Sequence, residues 1–209
     1  MKLYQHPFSP NCQKVVAVGH EVGVPLELAT VEIFKGEART PAMRAKNPNG
    51  KLPILEDGDF VLWESTAMLA YIAAKAGRAD LAPTTPRERA EVDRWTSWQG
   101  AHFAPPIRKV SFERIVKKVM GLGAPDEAAV KGGISEFAAM ASVLEESLGA
   151  KEYLCGPLTL ADFDLAPYAA LAESCGLDFE PYPKAKAWLG RMVARDSMKR
   201  TLAAARGAA

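Results

Sequence analysis

The sequence predicts an α/β domain of order βαβ–ββα followed by an all-α domain. Three observations lead there. The first 31 residues run from a short strand through a segment of helical period to a second strand. A proline-led hairpin over 53–62 then meets an apolar helix. Beyond residue 86 the apolar residues recur at helical spacing, and no convincing strand appears.

Leu3-Tyr4 reads as a strand and His6-Pro7-Phe8-Ser9-Pro10 as a turn. Over 11–22, Val15, Val18 and Val22 repeat at helical spacing, and Gly23 ends the helix in the left-handed conformation that glycine adopts cheaply. Residues 26–31 form the return strand, so the unit is βαβ with a right-handed crossover. Residues 32–46 are polar and irregular, with Thr40-Pro41 opening a short helix. Pro53 lacks an N–H and belongs at a strand's first residue, and X-Pro is the setting where a cis peptide is cheap. A cis bond at Leu52-Pro53 would turn the Leu52 N–H and C=O outward, ready to pair with an extended peptide. Asp57-Gly58 is the hairpin turn, and Ser65 is expected to cap a helix over 66–76 that stops at Gly77.

The domain boundaries expected are 1–77, a linker over 78–85, and 86–209. Thr85-Pro86-Arg87-Glu88 is a capping box with proline at the first helical position. Helices are expected near 86–118, 126–148, 159–174, 182–194 and 196–204. Thr159-Leu160-Ala161-Asp162 is a second capping box, which gives the Asp162 carboxylate a structural task.

Composition excludes several function classes. With 26 basic and 25 acidic residues in 209, the net charge is +1, which offers nothing to nucleic acid or an anionic membrane. The most apolar long stretch, near 160–177, carries Asp162, Asp164 and Glu173, and reads as a core helix rather than a membrane span. Cys12, Cys155 and Cys175 are three in number and widely spaced, with no zinc spacing and no disulfide framework. Met1-Lys2 runs at once into a strand, so no signal peptide is expected, and the cytoplasm is the compartment expected.

Chemistry concentrates at two helix starts. Ser9-Pro10-Asn11-Cys12 lies between strand and helix of the βαβ unit, where thioredoxin-like domains carry Cys-x-x-Cys. Serine at the first position removes the sulfur nucleophile and leaves a hydroxyl donor, suited to holding a thiolate brought by another molecule. Glu64-Ser65 sets an acid beside a serine at the next helix start. Glu64 suits an ammonium group, while Ser65 and its N–H suit a carboxylate, the two charges of an amino-acid head.

Ser9, the run Asn47-Pro48-Asn49-Gly50-Lys51-Leu52-Pro53, Glu64-Ser65, and Leu158-Thr159-Leu160-Ala161-Asp162 in an all-helical second half together resemble a cytosolic glutathione transferase. The resemblance spans nearly the whole chain. It implies a thioredoxin-like domain holding glutathione as co-substrate without a further cofactor, a helical domain shaping the pocket for a small apolar electrophile, and a homodimer. By motif match, Ser9 would be the catalytic donor to the glutathione thiolate. Leu52, before Pro53, would pair with the cysteinyl backbone, and Glu64 and Ser65 would take the γ-glutamyl amine and carboxylate. Asn11, Arg39 and Lys51 complete the expected glutathione set, and His102, Phe103 and Arg108 the expected electrophile set. The chain departs from the phi-class pattern at Ala38-Arg39, where a His-Lys pair grips the glycyl carboxylate, and at Asn49, which is phenylalanine there. Cys12 resembles the second cysteine of glutaredoxins, so glutathione-dependent reduction or peroxidase chemistry through Cys12 is an alternative reading. A non-catalytic binding protein is another.

Overall fold

A computed structural model describes residues 1–207. The described chain divides into two compact units: Met1–Thr84 joined by residues 194–207, and Thr85–Val193.

The first unit is built on a four-stranded sheet of order β2-β1-β3-β4. β1 (Lys2–Gln5) and β2 (Glu27–Thr30) are parallel, with Leu3 opposite Leu28, and α1 (Pro10–Val22) makes the crossover between them. Gly23 ends α1 at φ 70°, its N–H bonded to the Gly19 carbonyl. Two short 3₁₀ turns, Ile33–Lys35 and Glu37–Arg39, lead into α2 (Pro41–Lys46). β3 (Ile54–Asp57) pairs antiparallel with both β1 and β4 (Phe60–Trp63), closing the hairpin at Gly58 with φ 63°. α3 (Ser65–Lys75) packs against α1. Leu3, Val15, Val18, Ile54, Leu55, Met68, Leu69 and Ile72 are nearly or completely buried in this unit. The expected βαβ–ββα order is the order found.

The second unit is helical throughout: α4 (Pro86–Trp98), α5 (Ala104–Ser111), α6 (Lys117–Met120), α7 (Glu127–Leu148), α8 (Leu160–Ser174) and α9 (Pro183–Ala194). The single helix expected over 86–118 is interrupted by two π turns, Gln99–Phe103 and Phe112–Val116. The first has a cause in the sequence. Pro105 and Pro106 have no N–H to return to Ala101 and His102, and the Ala104 N–H bonds instead to Gln99, five residues back. α5 then packs so close to α7 that a Cβ on Gly133 would lie 2.6 Å from Val110 Cγ2. Trp98, Phe103, Phe137 and Phe179 form a chain of ring contacts with successive centroids 5.2–6.2 Å apart.

α10 (Asp196–Gly207) belongs to the first unit and lies against α1. Glu21 ties it there: its carboxylate accepts from the Arg195 guanidinium and, at 2.6 Å, from the Ser197 hydroxyl. Among the described residues no helix is long and apolar enough to cross a membrane.

Candidate functional site

Ser9 occupies the cap position of α1 with extended backbone (φ −85°, ψ 116°), yet its side chain makes no capping bond. The Ser9 carbonyl accepts from the N–H groups of Cys12 and Gln13, both at 2.9 Å. Ser9 is partly exposed at a helix N-terminus, and its hydroxyl lies against the Cys12 thiol. The first turn of α1 carries no acid.

Cys12 itself is sealed. It is completely buried, and burial pushes its thiol up to about 11. The Ser9 hydroxyl, the His6 N–H (3.5 Å from Sγ) and the Lys14 charge act in the opposite direction and are outweighed. A thiol with that pKa is ionised in about one molecule in 10⁴ at neutral pH.

The start of α3 corrects one expectation. Ser65 does not cap the helix but is its first residue, because the Glu64 carbonyl already accepts from the Met68 N–H at 3.2 Å. Glu64 takes the cap position at φ 73°, ψ 107°, where no other non-glycine described residue has positive φ. Such a conformation costs about 1–3 kcal/mol and collects at ligand sites. The Glu64 side chain is exposed and makes no capping bond. Ser65, only 7% exposed, reaches back to α1: its hydroxyl donates to Asn11 Oδ1 at 3.4 Å. The Lys14 ammonium donates to Thr66 Oγ1 at 3.1 Å, a second tie between the two helices. Two helix N-termini are thus held together, with Ser9, Asn11, Glu64 and Ser65 around them.

The Leu52-Pro53 peptide is cis. Among the described residues the Leu52 N–H and C=O have no hydrogen-bond partner, since β3 pairing starts at Ile54. Asn47, 4% exposed, pins the loop before it. Its Nδ2 donates to the Lys51 carbonyl at 2.8 Å, and its Oδ1 accepts from the Asn49 backbone and side chain. Arg39 and Lys51 are exposed, and their side-chain nitrogens make no bond or ion pair among the described residues.

The three electrophile-site expectations separate. His102 and Arg108 are exposed. Phe103 is not a surface residue at all: it is completely buried and stacked on Trp98, so its expected place in a pocket gives way to core packing. Trp95 and Trp98 are buried and half-buried, while His102 lies within the π turn and faces solvent. Sequence reasoning passed over Phe112, an aromatic side chain 44% exposed at the second π turn. It also passed over a cavity of about 350 Å³ within the helical unit, lined by Arg94, Trp95, Trp98, Val143, Ser147 and Lys151. Trp188 is completely buried in the core. Its indole N–H also donates to Asp162 at 2.9 Å, a bond no spacing rule reveals.

Comparison with known proteins agrees with this fold. Residues 3–83 match the family model for the glutathione S-transferase N-terminal domain, and residues 103–196 that for the C-terminal domain. Glutathione S-transferase 3 of Zea mays is 35% identical, covering 98% of this chain and 94% of its own. Glutathione transferase F7 of Populus trichocarpa superposes with a TM-score of 0.88 at 29% identity, covering 96% of each chain. Glutathione S-transferase I from mais, solved with an atrazine glutathione conjugate, superposes at 0.90 with 26% identity, covering 100% of this chain and 99% of its own. A thioredoxin-like unit with open helix N-termini, a helical second unit and likeness along the full length lead to one conclusion: the chain belongs to the glutathione S-transferase family and is phi-like within it.

Proposed function

We propose that the protein conjugates the thiolate of glutathione to small hydrophobic electrophiles, with Ser9 as the catalytic donor. The observation that carries this reading is the Ser9 hydroxyl, set at the acid-free N-terminus of α1 and engaged in no cap. A hydrogen bond to a charged group contributes about 1.5–3 kcal/mol, which lowers a bound thiol's pKa by about 1–2 units. The helix end acts in the same direction. Glutathione then loses its thiol proton to solvent. The sulfur lone pair forms the new S–C bond, and the electrophile either expels its leaving group with the bonding pair or takes up a proton where it is an acceptor alkene.

In this reading residues 1–77 hold glutathione as co-substrate, with no further cofactor. Glu64 receives the γ-glutamyl amine, Ser65 with Asn11 its carboxylate, and the Leu52 backbone beside Pro53 the cysteinyl peptide. Arg39 and Lys51 supply positive charge toward the glycyl end. Residues beyond 86 select the electrophile, with exposed Phe112 joining His102 and Arg108 in that role. Burial of Cys12 argues against thiol reduction through it. We further propose a homodimer working in the cytoplasm. The apolar side chains Val61 and Trp63, on one face of edge strand β4, are 38% and 41% exposed, a surface that a second copy would cover.

The experiment is direct. Purified protein with glutathione and an aromatic halide electrophile should form the thioether at a rate that saturates in glutathione. Glutathione binding without turnover across a panel of electrophiles would return the protein to a binding role.

A further inference from the structure

A hydroxyl stabilises a thiolate only when it is aimed, and the aim of Ser9 is set by the turn before it. The Ser9 N–H donates to the His6 carbonyl at 3.0 Å, which closes His6-Pro7-Phe8-Ser9 into a turn. The His6 N–H donates to Cys12 Sγ at 3.5 Å and so fastens the start of the turn to α1. The middle peptide, Pro7 to Phe8, is held at both ends by side chains. Its carbonyl accepts from Gln13 Nε2 at 2.7 Å, and its N–H donates to His6 Nδ1 at 3.3 Å. Holding both ends fixes the plane of that peptide, and with it the direction in which Phe8 and Ser9 leave the turn.

The imidazole is built in for this task. His6 is 6% exposed, with its ring tilted on Phe8 at 5.3 Å between centroids and edge-on to Phe34 at 5.5 Å. Nδ1 can accept a hydrogen bond only while it carries no proton, so the ring that fits is the neutral one with its hydrogen on Nε2. Burial lowers the His6 pKa from its ordinary value and outweighs the Glu32 charge, which raises it. A buried ring of this kind acts on Ser9 through the backbone rather than on a ligand.

We propose that His6 is a positioning residue for the reaction: its neutral ring, accepting from the Phe8 N–H, sets the turn that aims the Ser9 hydroxyl at the thiolate. The inference rests on the Ser9 reading above and deepens it. Small displacements of such a donor are costly, since a group about 1 Å out of place can lose about a hundredfold in rate.

The test sets two variants against wild type. His6→Phe keeps a ring against Phe8 and Phe34 but has no acceptor. His6→Asn gives up the ring but keeps an oxygen two bonds from Cβ, as Nδ1 is. Bound glutathione is titrated by ultraviolet difference absorbance, kcat is measured at saturating glutathione with an aromatic halide, and affinity is read by calorimetry. His6→Phe should raise the bound thiol's pKa by about one unit and lower kcat about five- to tenfold at about pH 6.5, with glutathione affinity within about twofold of wild type. His6→Asn should stay near wild type in all three. A bound thiol in His6→Phe that ionises at the wild-type pH overturns the proposal, and so does an equal shift in both variants. Should His6→Phe not fold, the ring-nitrogen resonances of labelled wild type decide: Nδ1 without a hydrogen and bonded to the Phe8 amide supports the proposal, and a hydrogen on Nδ1 at neutral pH overturns it. Failure of the Ser9 reading looks different, because wild type itself would then leave the thiol pKa of bound glutathione unmoved; that result overturns both.

Discussion

The helices of the two units begin in different ways. In the helical unit α4, α7, α8 and α9, which follow loops, each start on a side-chain acceptor, whereas α5 and α6 continue from π turns without a side-chain cap. The Asp126 carboxylate accepts from Ala128 and Ala129, Thr85 from Glu88, and the start of α9 donates to Glu145 from α7. The tightest is α8. There completely buried Asp162 accepts from the N–H groups of Leu154 and Thr159 and from the Trp188 indole, at 2.9–3.0 Å. In the thioredoxin-like unit Ser9, Thr40 and Glu64 stand at cap positions and none closes its helix with its side chain. Residue types that look alike in sequence therefore do opposite things. A closed cap fixes a fold, and an open one keeps its donors and dipole for a ligand.

The largest expected effect lies on the closed side. Asp162→Ala leaves buried N–H donors unpaired and should cost about 3 kcal/mol or more, lowering the melting temperature by several degrees at about 2–4 °C per kcal/mol. The folded fraction should bind glutathione as wild type does. A variant that melts normally would show that α8 does not depend on its cap.

Next is Glu64→Gly, for which the two regions predict opposite signs. Glycine adopts φ 73° without penalty, so stability should rise by about 1 kcal/mol, while glutathione affinity falls about tenfold or more. Denaturant midpoints and calorimetry on the same preparation read both. Loss of stability together with unchanged affinity would mean that the strained residue serves the fold alone.

A smaller effect concerns α10. Burial alone raises the Glu21 pKa, but the bonds from Arg195 and Ser197 and the charges of Arg195 and Arg78 bring it below the ordinary carboxylate value. A depressed carboxylate stabilises the fold above its unfolded pKa, near 4.5, and that contribution disappears as pH falls through the folded value. Wild type should thus lose more stability between pH 6 and pH 3 than Glu21→Gln, which already lacks about 1–2 kcal/mol at neutral pH. Parallel urea midpoints for the two proteins across that range would remove the latch.

Much of this contrast was legible in the sequence, for local reasons. Gly23 and Asp57-Gly58 punctuate elements through their own backbone preferences, and Thr159 with Asp162 is readable because both partners lie within one turn. Pro105-Pro106 carries the signal for the first π turn, whereas the burial of Phe103 depends on Trp98 and Phe137 packing against it. Other features depend on residues far apart in sequence. The Trp188–Asp162 bond spans 26 positions, and α10 lies beside α1 through Glu21 and Arg195. Nor does any local preference of glutamate announce φ 73° at Glu64.

The central claim is that an open cap at Ser9 stabilises a thiolate that glutathione brings. Titrating enzyme-bound glutathione by ultraviolet difference absorbance of the thiolate, in wild type and Ser9→Ala, tests it most directly. The account predicts a bound thiol in wild type ionising about 1–2 pH units below free glutathione, with most of that shift gone in the variant while glutathione still binds. The same ionisation midpoint in both proteins would contradict it.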